Sequence, residues 1–438
     1  MNPLRALREL GQSVWLDYLD RSLLASGELD QMIGEDGLSG MTSNPTIFQK
    51  AIAGSVDYDG TIAAAPPEES EARIFEHIEV EDVTRACDGF RRVYDETRGA
   101  DGFVSIEVAP ELANDTSRTV DEVHRLWGSV ARPNVMVKIP GTLEGLPAIE
   151  RCLADGINVN VTLLFSVRRY LEVFQAFLRA LETRAARGLP LDSIGSVASF
   201  FVSRIDTKVD RALDTLTDAG RRGLGRSLRG QIAVANAKLA YRGNRRMIAD
   251  PRWLTLAAKG ARPQRLLWGS TSTKDPAYPD VYYVDALVAP DTVDTMPLET
   301  LRAYRDHGKP QVRIHEGVEL ARAQFETLVN IGVDFDVIAY ELENEGVRLF
   351  TESHHRALQT IAGKRKHGHP KQVRSDLKDL TPGRAGAQFP HDLEQTPPSR
   401  HDRQREEPGG RHDHVPHALD RPEPEQRGGH DRSERKRI

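Results

Sequence analysis

Three ionisable residues stand inside runs that are otherwise apolar: Asp17 in Val14–Leu19, Glu107 in Phe103–Val108 and Lys138 in Val135–Ile139. Charged side chains are almost never fully buried unless paired, so each is out of place in a core strand. Around the lysine, four of the five residues from Val135 to Ile139 are apolar, and Pro140-Gly141 ends the run. Desolvation favours the neutral amine of a buried lysine, and a neutral amine condenses with a ketone or aldehyde to a Schiff base. Carboxylates within reach of that amine are the natural proton donors and acceptors for such a reaction. Taken alone, the lysine has a plainer reading: a strand-end residue whose stem packs while its head snorkels to water.

The elements that must carry these residues alternate strand-like and helix-like along residues 1–363. Strands are expected at Val14–Leu19, Leu38–Asn44, Phe103–Val108, Val135–Ile139, Asn158–Phe165, Val197–Val202, Arg265–Gly269 and Thr292–Thr295. Helical spacing is expected in Arg21–Ile33, Thr119–Val130, Leu143–Ala154, Tyr170–Arg187, Asp206–Ala219, Leu228–Met247, Leu298–His307 and Leu320–Asn330. Continuous apolar strands imply a sheet covered on both faces. Eight such repeats point to a (β/α)8 TIM barrel with helical insertions, which needs about 250 residues or more. An open doubly wound sheet is the alternative, but no Gly-rich phosphate fingerprint follows the first strand.

Strand residues alternate faces with period two. That places Asp17, Glu107, Lys138, Asn160 and Thr162 on inward faces, mostly toward the C-terminal strand ends where barrel enzymes hold their chemistry. Five convergent polar groups in a barrel interior have no structural purpose, because each must be satisfied to be buried.

Composition changes near residue 363. Residues 364–438 contain eight of the fourteen histidines, no Trp or Tyr and one Phe, Phe389. Such a stretch cannot bury enough apolar surface to offset its ordering entropy, so we expect a disordered polar tail. His412, His414 and His417 lack any frame to fix a metal geometry, and no metal or cofactor is expected. The net charge of −6 offers nothing for nucleic acid, and no run of about 18 apolar residues suggests a membrane span. Two cysteines, Cys87 and Cys152, suit a reducing compartment, and a cytoplasmic location is expected. Oligomeric state is left open between monomer and homodimer.

The chain resembles the transaldolases, in their longer bacterial type. The resemblance rests on Gly40-Met41-Thr42-Ser43-Asn44-Pro45-Thr46-Ile47-Phe48, Ser105-Ile106-Glu107-Val108, Val135 to Thr142, Gly156 to Ser166 and Ala198 to Asp206, in that order. It implies a class I aldolase-type barrel that moves a dihydroxyacetone unit between sugar phosphates in the non-oxidative pentose phosphate pathway. By the same resemblance, Lys138 is the Schiff-base lysine, Asp17 the acid/base at the C4 hydroxyl, and Glu107 with Thr162 the proton shuttle for imine formation. Asn44, Asn160 and Ser199 match residues that line or bind the carbohydrate chain. Arg204 matches the phosphate arginine. Ser270 and Lys274 complete the phosphate end, because Ser272 stands where shorter relatives carry an arginine. Two alternatives remain beside transfer: an aldolase releasing free dihydroxyacetone, and a barrel that binds sugar phosphates without catalysis. Aldolases of this kind usually carry tyrosine in place of Glu107.

Overall fold

The computed structural model describes residues 2–366, and among them eight parallel strands close into a barrel. The strands are β1 Gln12–Asp17, β2 Gly40–Thr42, β3 Phe103–Glu107, β4 Val135–Pro140, β5 Val159–Leu164, β6 Ser196–Phe201, β7 Arg265–Gly269 and β8 Thr292–Met296. Each pairs with its sequence neighbours, and β1 closes the ring on β8. The barrel and its helices agree with the expected fold class. Observed strand ends lie within two residues of expectation, and Arg265–Gly269 has the expected bounds. At β2, only Gly40–Thr42 pairs; Ser43 and Asn44 leave the ladder because Asn44 is already the cap of the next helix.

The interior has two levels. Trp15, Phe103, Met136, Val197, Leu267 and Val293 form a separate buried cluster that fills the N-terminal half. Gly40 is required at this level: a Cβ there would lie 2.4 Å from the Trp15 indole. Above this plug, the next inward positions of the same strands are Asp17, Ser105, Lys138, Ser199 and Thr295. The outward faces pack on helices, as with Val135, Val137 and Ile139 around Lys138.

Two features were absent from the sequence reading. Leu163 in β5 has φ +60, and the β5–β6 register shifts between Val161 and Leu164. A β-branched or bulky side chain in this region is strained, and such bulges re-aim side chains beside active sites. The second is the 32-residue helix Phe335–Lys366, which packs on the helices that follow β2 and β6. Its last turn continues past residue 363, where Lys364 donates to Asp59 at 2.6 Å and to the Ser55 carbonyl at 2.7 Å. The expected disordered tail, with His412, His414 and His417, otherwise lies outside the described residues. No described helix is long and apolar enough to cross a membrane. Cys87 and Cys152 are free and buried, and burial pushes both thiols up.

Asp294 on β8 faces away from the barrel axis and is fully buried. Its carboxyl accepts one hydrogen bond, from Thr271 Oγ1 at 3.0 Å, and has no ion-pair partner among the described residues. Burial raises its pKa from 3.8 to about 8. Between those values the folded chain holds a proton that the unfolded chain has lost, so Asp294 makes stability fall as pH rises. The slope it adds approaches about 1.4 kcal/mol per pH unit. Asp294→Asn should flatten the decline between pH 5 and 8 in denaturant unfolding. An unchanged slope in the variant contradicts this assignment.

Candidate active site

Parallel pairing sets three polar residues side by side. Glu107 is the register partner of Lys138, and Lys138 that of Asn160. Lys138 Nζ lies 3.1 Å from Glu107 Oε2 and donates to the Ser43 carbonyl at 3.1 Å. The two groups form a buried ion pair, their side chains 6% and 3% exposed. Burial raises the Glu107 pKa above its usual range, against the opposing pull of Lys138.

Asp17 stands at the C-terminal end of β1. Burial raises its pKa too, offset in turn by Lys138, by the Thr42 hydrogen bond and by Arg204. Thr42 Oγ1 donates to Asp17 Oδ1 at 2.7 Å and lies 2.7 Å from Thr295 Oγ1. Because the Thr42 proton points to Asp17, Thr295 must be the donor in that second bond. Asn160 is fixed from both ends: its Nδ2 donates to Ser105 Oγ at 3.0 Å and its Oδ1 accepts from Ser199 Oγ at 2.6 Å. Thr162 Oγ1 is buried with no hydrogen-bond partner among the described residues.

These groups lie at the bottom of a cavity of about 680 Å³ at the C-terminal mouth of the barrel. Asp17, Lys138, Thr162 and Ser199 line it, as do Asn44, Arg204, Ser270 and Lys274. Glu107 and Asn160 stand behind this lining and reach the cavity through Lys138 and Ser199.

One wall is cationic. Arg204 comes from the first turn of the helix Ser203–Asp214, directly after β6. Its guanidinium lies 5.3 Å from the Phe201 ring and makes no hydrogen bond or close ion pair among the described residues. Burial lowers its pKa, while Asp17, Glu345 and Glu107 act in the opposite sense. Ser270 follows β7 in the left-handed region, φ +56, and its hydroxyl is 2.9 Å from that of Ser203. This strained turn ties the loop after β7 to the start of the Arg204 helix. Lys274 donates to Ser272 Oγ at 2.7 Å. Its pKa is lowered by burial first, then by Arg204 and Lys50. Arg204, Lys274 and Lys50 all line the cavity and have no ion pair within 4 Å among the described residues, which makes this wall a site for an anionic ligand.

All ten residues named from the sequence therefore gather at one end of the barrel. Asn44 differs in one respect. Its Oδ1 accepts from the backbone N–H groups of Thr46 and Ile47, both at 3.0 Å, and so caps the helix Pro45–Gly54. Only its Nδ2 remains for a ligand. Sequence reasoning missed Thr42, Thr295, Lys50 and Phe350. Thr42 and Thr295 were findable, since each lies two residues from an inward-facing neighbour, Gly40 and Val293. Lys50 and Phe350 sit on helices, where no alternation signals the cavity. Among the described residues no group of His, Cys, Asp or Glu is placed to hold a metal ion.

The double duty of Asn44 is separable. Asp also caps helices well, whereas Ala in place of an Asn cap costs about 1 kcal/mol. Asn44→Asp should keep the unfolding midpoint within error and lose activity with the Nδ2 donor; Asn44→Ala should lose both. Denaturant unfolding run beside steady-state kinetics checks this, and full activity in Asn44→Asp contradicts it.

Residues 14–361 match the family model described as transaldolase/fructose-6-phosphate aldolase. The chain is 46% identical over 356 residues to a protein named transaldolase from Trichodesmium erythraeum, covering 80% of this chain and 94% of that relative. It is 48% identical over 356 residues to one so named from Acidothermus cellulolyticus, covering 80% and 94%. A third, from Thiobacillus denitrificans, is 46% identical over 366 residues and covered over its whole length. With a closed parallel barrel, a buried lysine–glutamate pair and an anion-receptive wall in place, the chain belongs to the transaldolase/fructose-6-phosphate aldolase family.

Proposed function

We propose that this chain is a transaldolase that moves a dihydroxyacetone unit from sedoheptulose 7-phosphate to glyceraldehyde 3-phosphate through a Schiff base on Lys138. The products are erythrose 4-phosphate and fructose 6-phosphate, which places it in the non-oxidative pentose phosphate pathway. The observation that carries this reading is the row Glu107–Lys138–Asn160, buried across β3, β4 and β5 with Asp17 facing it. A buried amine held 3.1 Å from a carboxylate is equipped for imine chemistry. The names of the relatives favour transfer over simple aldol release, and Glu107 suits transfer as well.

The steps follow from the geometry. The phosphate binds at Arg204 with Ser270 and Lys274, and Lys50 adds charge at the mouth. Binding there directs the ketone toward Lys138. As the amine attacks C2, Glu107 takes up the ammonium proton. Once the lysine charge is gone, only the weaker pull of Arg204 opposes the effect of burial on Glu107, and its proton affinity rises further. It is then a ready acid for expelling hydroxide as water from the carbinolamine, and the free hydroxyl of Thr162 can hold that water. Asp17 removes the C4 hydroxyl proton, the C3–C4 bond breaks, and its electron pair passes into the iminium. Ser199, positioned by Asn160 from behind the lining, and the Nδ2 of Asn44 hold the sugar hydroxyls through both half-reactions. The reverse sequence on the acceptor aldehyde completes the transfer. The location we propose is the cytoplasm, which suits two free buried thiols.

Borohydride reduction in the presence of fructose 6-phosphate should leave a stable secondary amine, mapped by peptide mass to Lys138. Lys138→Met should show neither adduct nor turnover. An adduct on another residue, or none, overturns the mechanism.

Asp17 should act after the imine forms. Asp17→Asn should therefore still yield the Lys138 adduct while cleavage falls by about 10²–10⁴-fold. In the native chain, cleavage needs the Asp17 carboxylate. The rate should fall with decreasing pH from a midpoint above 3.8, because burial raises this group. An acid limb at or below the ordinary carboxylate range, or near-normal cleavage in Asp17→Asn, removes Asp17 from this role.

A further inference from the structure

We propose that Phe350, carried across the barrel mouth by the helix Phe335–Lys366, determines that the three-carbon unit on Lys138 is transferred rather than released. The proposal rests on Lys138 forming the Schiff base.

The Phe350 ring centroid lies 6.0 Å from Lys138 Nζ. The residue is 3% exposed and lines the cavity together with Lys138. A carbon bonded to Nζ stands about 1.5 Å from it, and carbon–carbon contact occurs at about 3.5–4.0 Å. A dihydroxyacetone unit on Nζ can therefore reach van der Waals contact with the ring. Glu107, the proton carrier for imine formation and hydrolysis, meets the same Nζ from behind the cavity lining.

The ring belongs to an element held at several points. Gly346, one turn before Phe350, packs on the Leu163 bulge: a Cβ there would meet Leu163 Cδ2 at 2.7 Å. Ser353 Oγ accepts from Thr46 Oγ1 at 2.9 Å, on the helix capped by Asn44. Glu343 pairs with Arg169 at 3.4 Å and Glu341 with Lys208 at 2.9 Å, tying the helix to the elements after β5 and β6. These contacts fix the ring over the amine.

After C3–C4 cleavage, C3 of the Lys138 enamine is a carbon nucleophile with two fates. It can attack the acceptor aldehyde: the C3–C4 bond forms, the aldehyde oxygen takes a proton from Asp17, and the product iminium adds water and frees the amine. Or C3 can take a proton from water: the dihydroxyacetone iminium then adds hydroxide at C2 and leaves as free dihydroxyacetone. A phenyl ring over this unit has no proton to give and excludes the water that would supply one. Asp17 keeps the C4 proton for the acceptor oxygen, and the aldehyde, anchored by its phosphate, meets C3 in place of water.

Wild type, Phe350→Ala and Phe350→Leu are compared in two assays. One measures dihydroxyacetone release from fructose 6-phosphate alone, in D2O, where the released molecule carries one deuterium on carbon. The other measures transfer to erythrose 4-phosphate. The ratio of release to transfer should rise about tenfold or more in Phe350→Ala, a change of about 1.4 kcal/mol in relative barriers. It should rise less in Phe350→Leu, which retains apolar volume and is read alone if the alanine variant fails to fold. Equal losses in both assays, with the ratio unchanged, mean that Phe350 only supports the fold and overturn the proposal. Borohydride trapping is run on each variant. An adduct on Lys138 with an unchanged ratio defeats this inference alone, whereas no adduct in wild type defeats the Schiff-base reading and this proposal with it.

Discussion

The site is organised by one costly interaction, the ion pair of Lys138 and Glu107 inside the barrel. Removing each ion from water costs several kcal/mol, and mutual attraction rarely returns more than that. Apolar residues of similar volume would serve the fold at least as well. The surroundings do the minimum to keep the pair tolerable: a carbonyl from Ser43 accepts from the ammonium, and Asp17 lends a second negative charge across the cavity. Burial simultaneously raises the proton affinity of both carboxylates. The same desolvation that burdens the fold thus brings the carboxylates toward proton exchange with the amine. A more exposed pair would be cheaper and chemically less responsive.

Holding that pair depends on the plug beneath it. Trp15, Phe103 and Met136 fill the lower barrel, so the polar layer stands on a packed apolar floor rather than over a void. Five of the six plug residues precede a polar one by two positions, as Trp15 does Asp17 and Met136 does Lys138. One strand therefore supplies both support and chemistry. A single-residue slip in β4 would turn Lys138 outward and bring Val137 inward. Packing of the plug opposes that slip, and so fixes the register that puts Glu107, Lys138 and Asn160 in line.

Much of this was legible in the sequence because strands report their faces. Period-two alternation and a charged residue within a β-branched run identify Asp17, Glu107 and Lys138 directly. Asn160 and Thr162 follow from the same rule in β5. The fold class follows from eight apolar runs separated by helical spacing. Helical contributors were not legible in this way. Lys50 reads as an ordinary helix lysine until the helix after Asn44 is seen to border the cavity. Phe350 lies on the one buried stripe of its helix, between Gly346 and Ser353, and such a stripe reports packing without telling which member borders the cavity. The Leu163 bulge was also hidden, since nothing in Val161-Thr162-Leu163-Leu164 marks a left-handed residue. In β2, the cap chemistry of Asn44 competed with strand propensity and shortened the strand.

Labour is divided between the two kinds of element. Strands carry the groups that exchange protons and form bonds, where backbone ladders limit movement. Helices and the loop after β7 carry Arg204, Ser270, Lys274 and Phe350, which recognise or enclose. The division has a physical basis. Proton transfer needs heavy atoms near hydrogen-bond distance, which adjacent parallel strands supply by pairing. Phosphate is several bonds from the reacting carbons and bears enough charge to be gripped by longer, less constrained side chains. The strained turn at Ser270 joins these two parts, since Ser203 holds it directly after β6 and beside Arg204. Through that contact the recognition wall inherits the rigidity of the barrel.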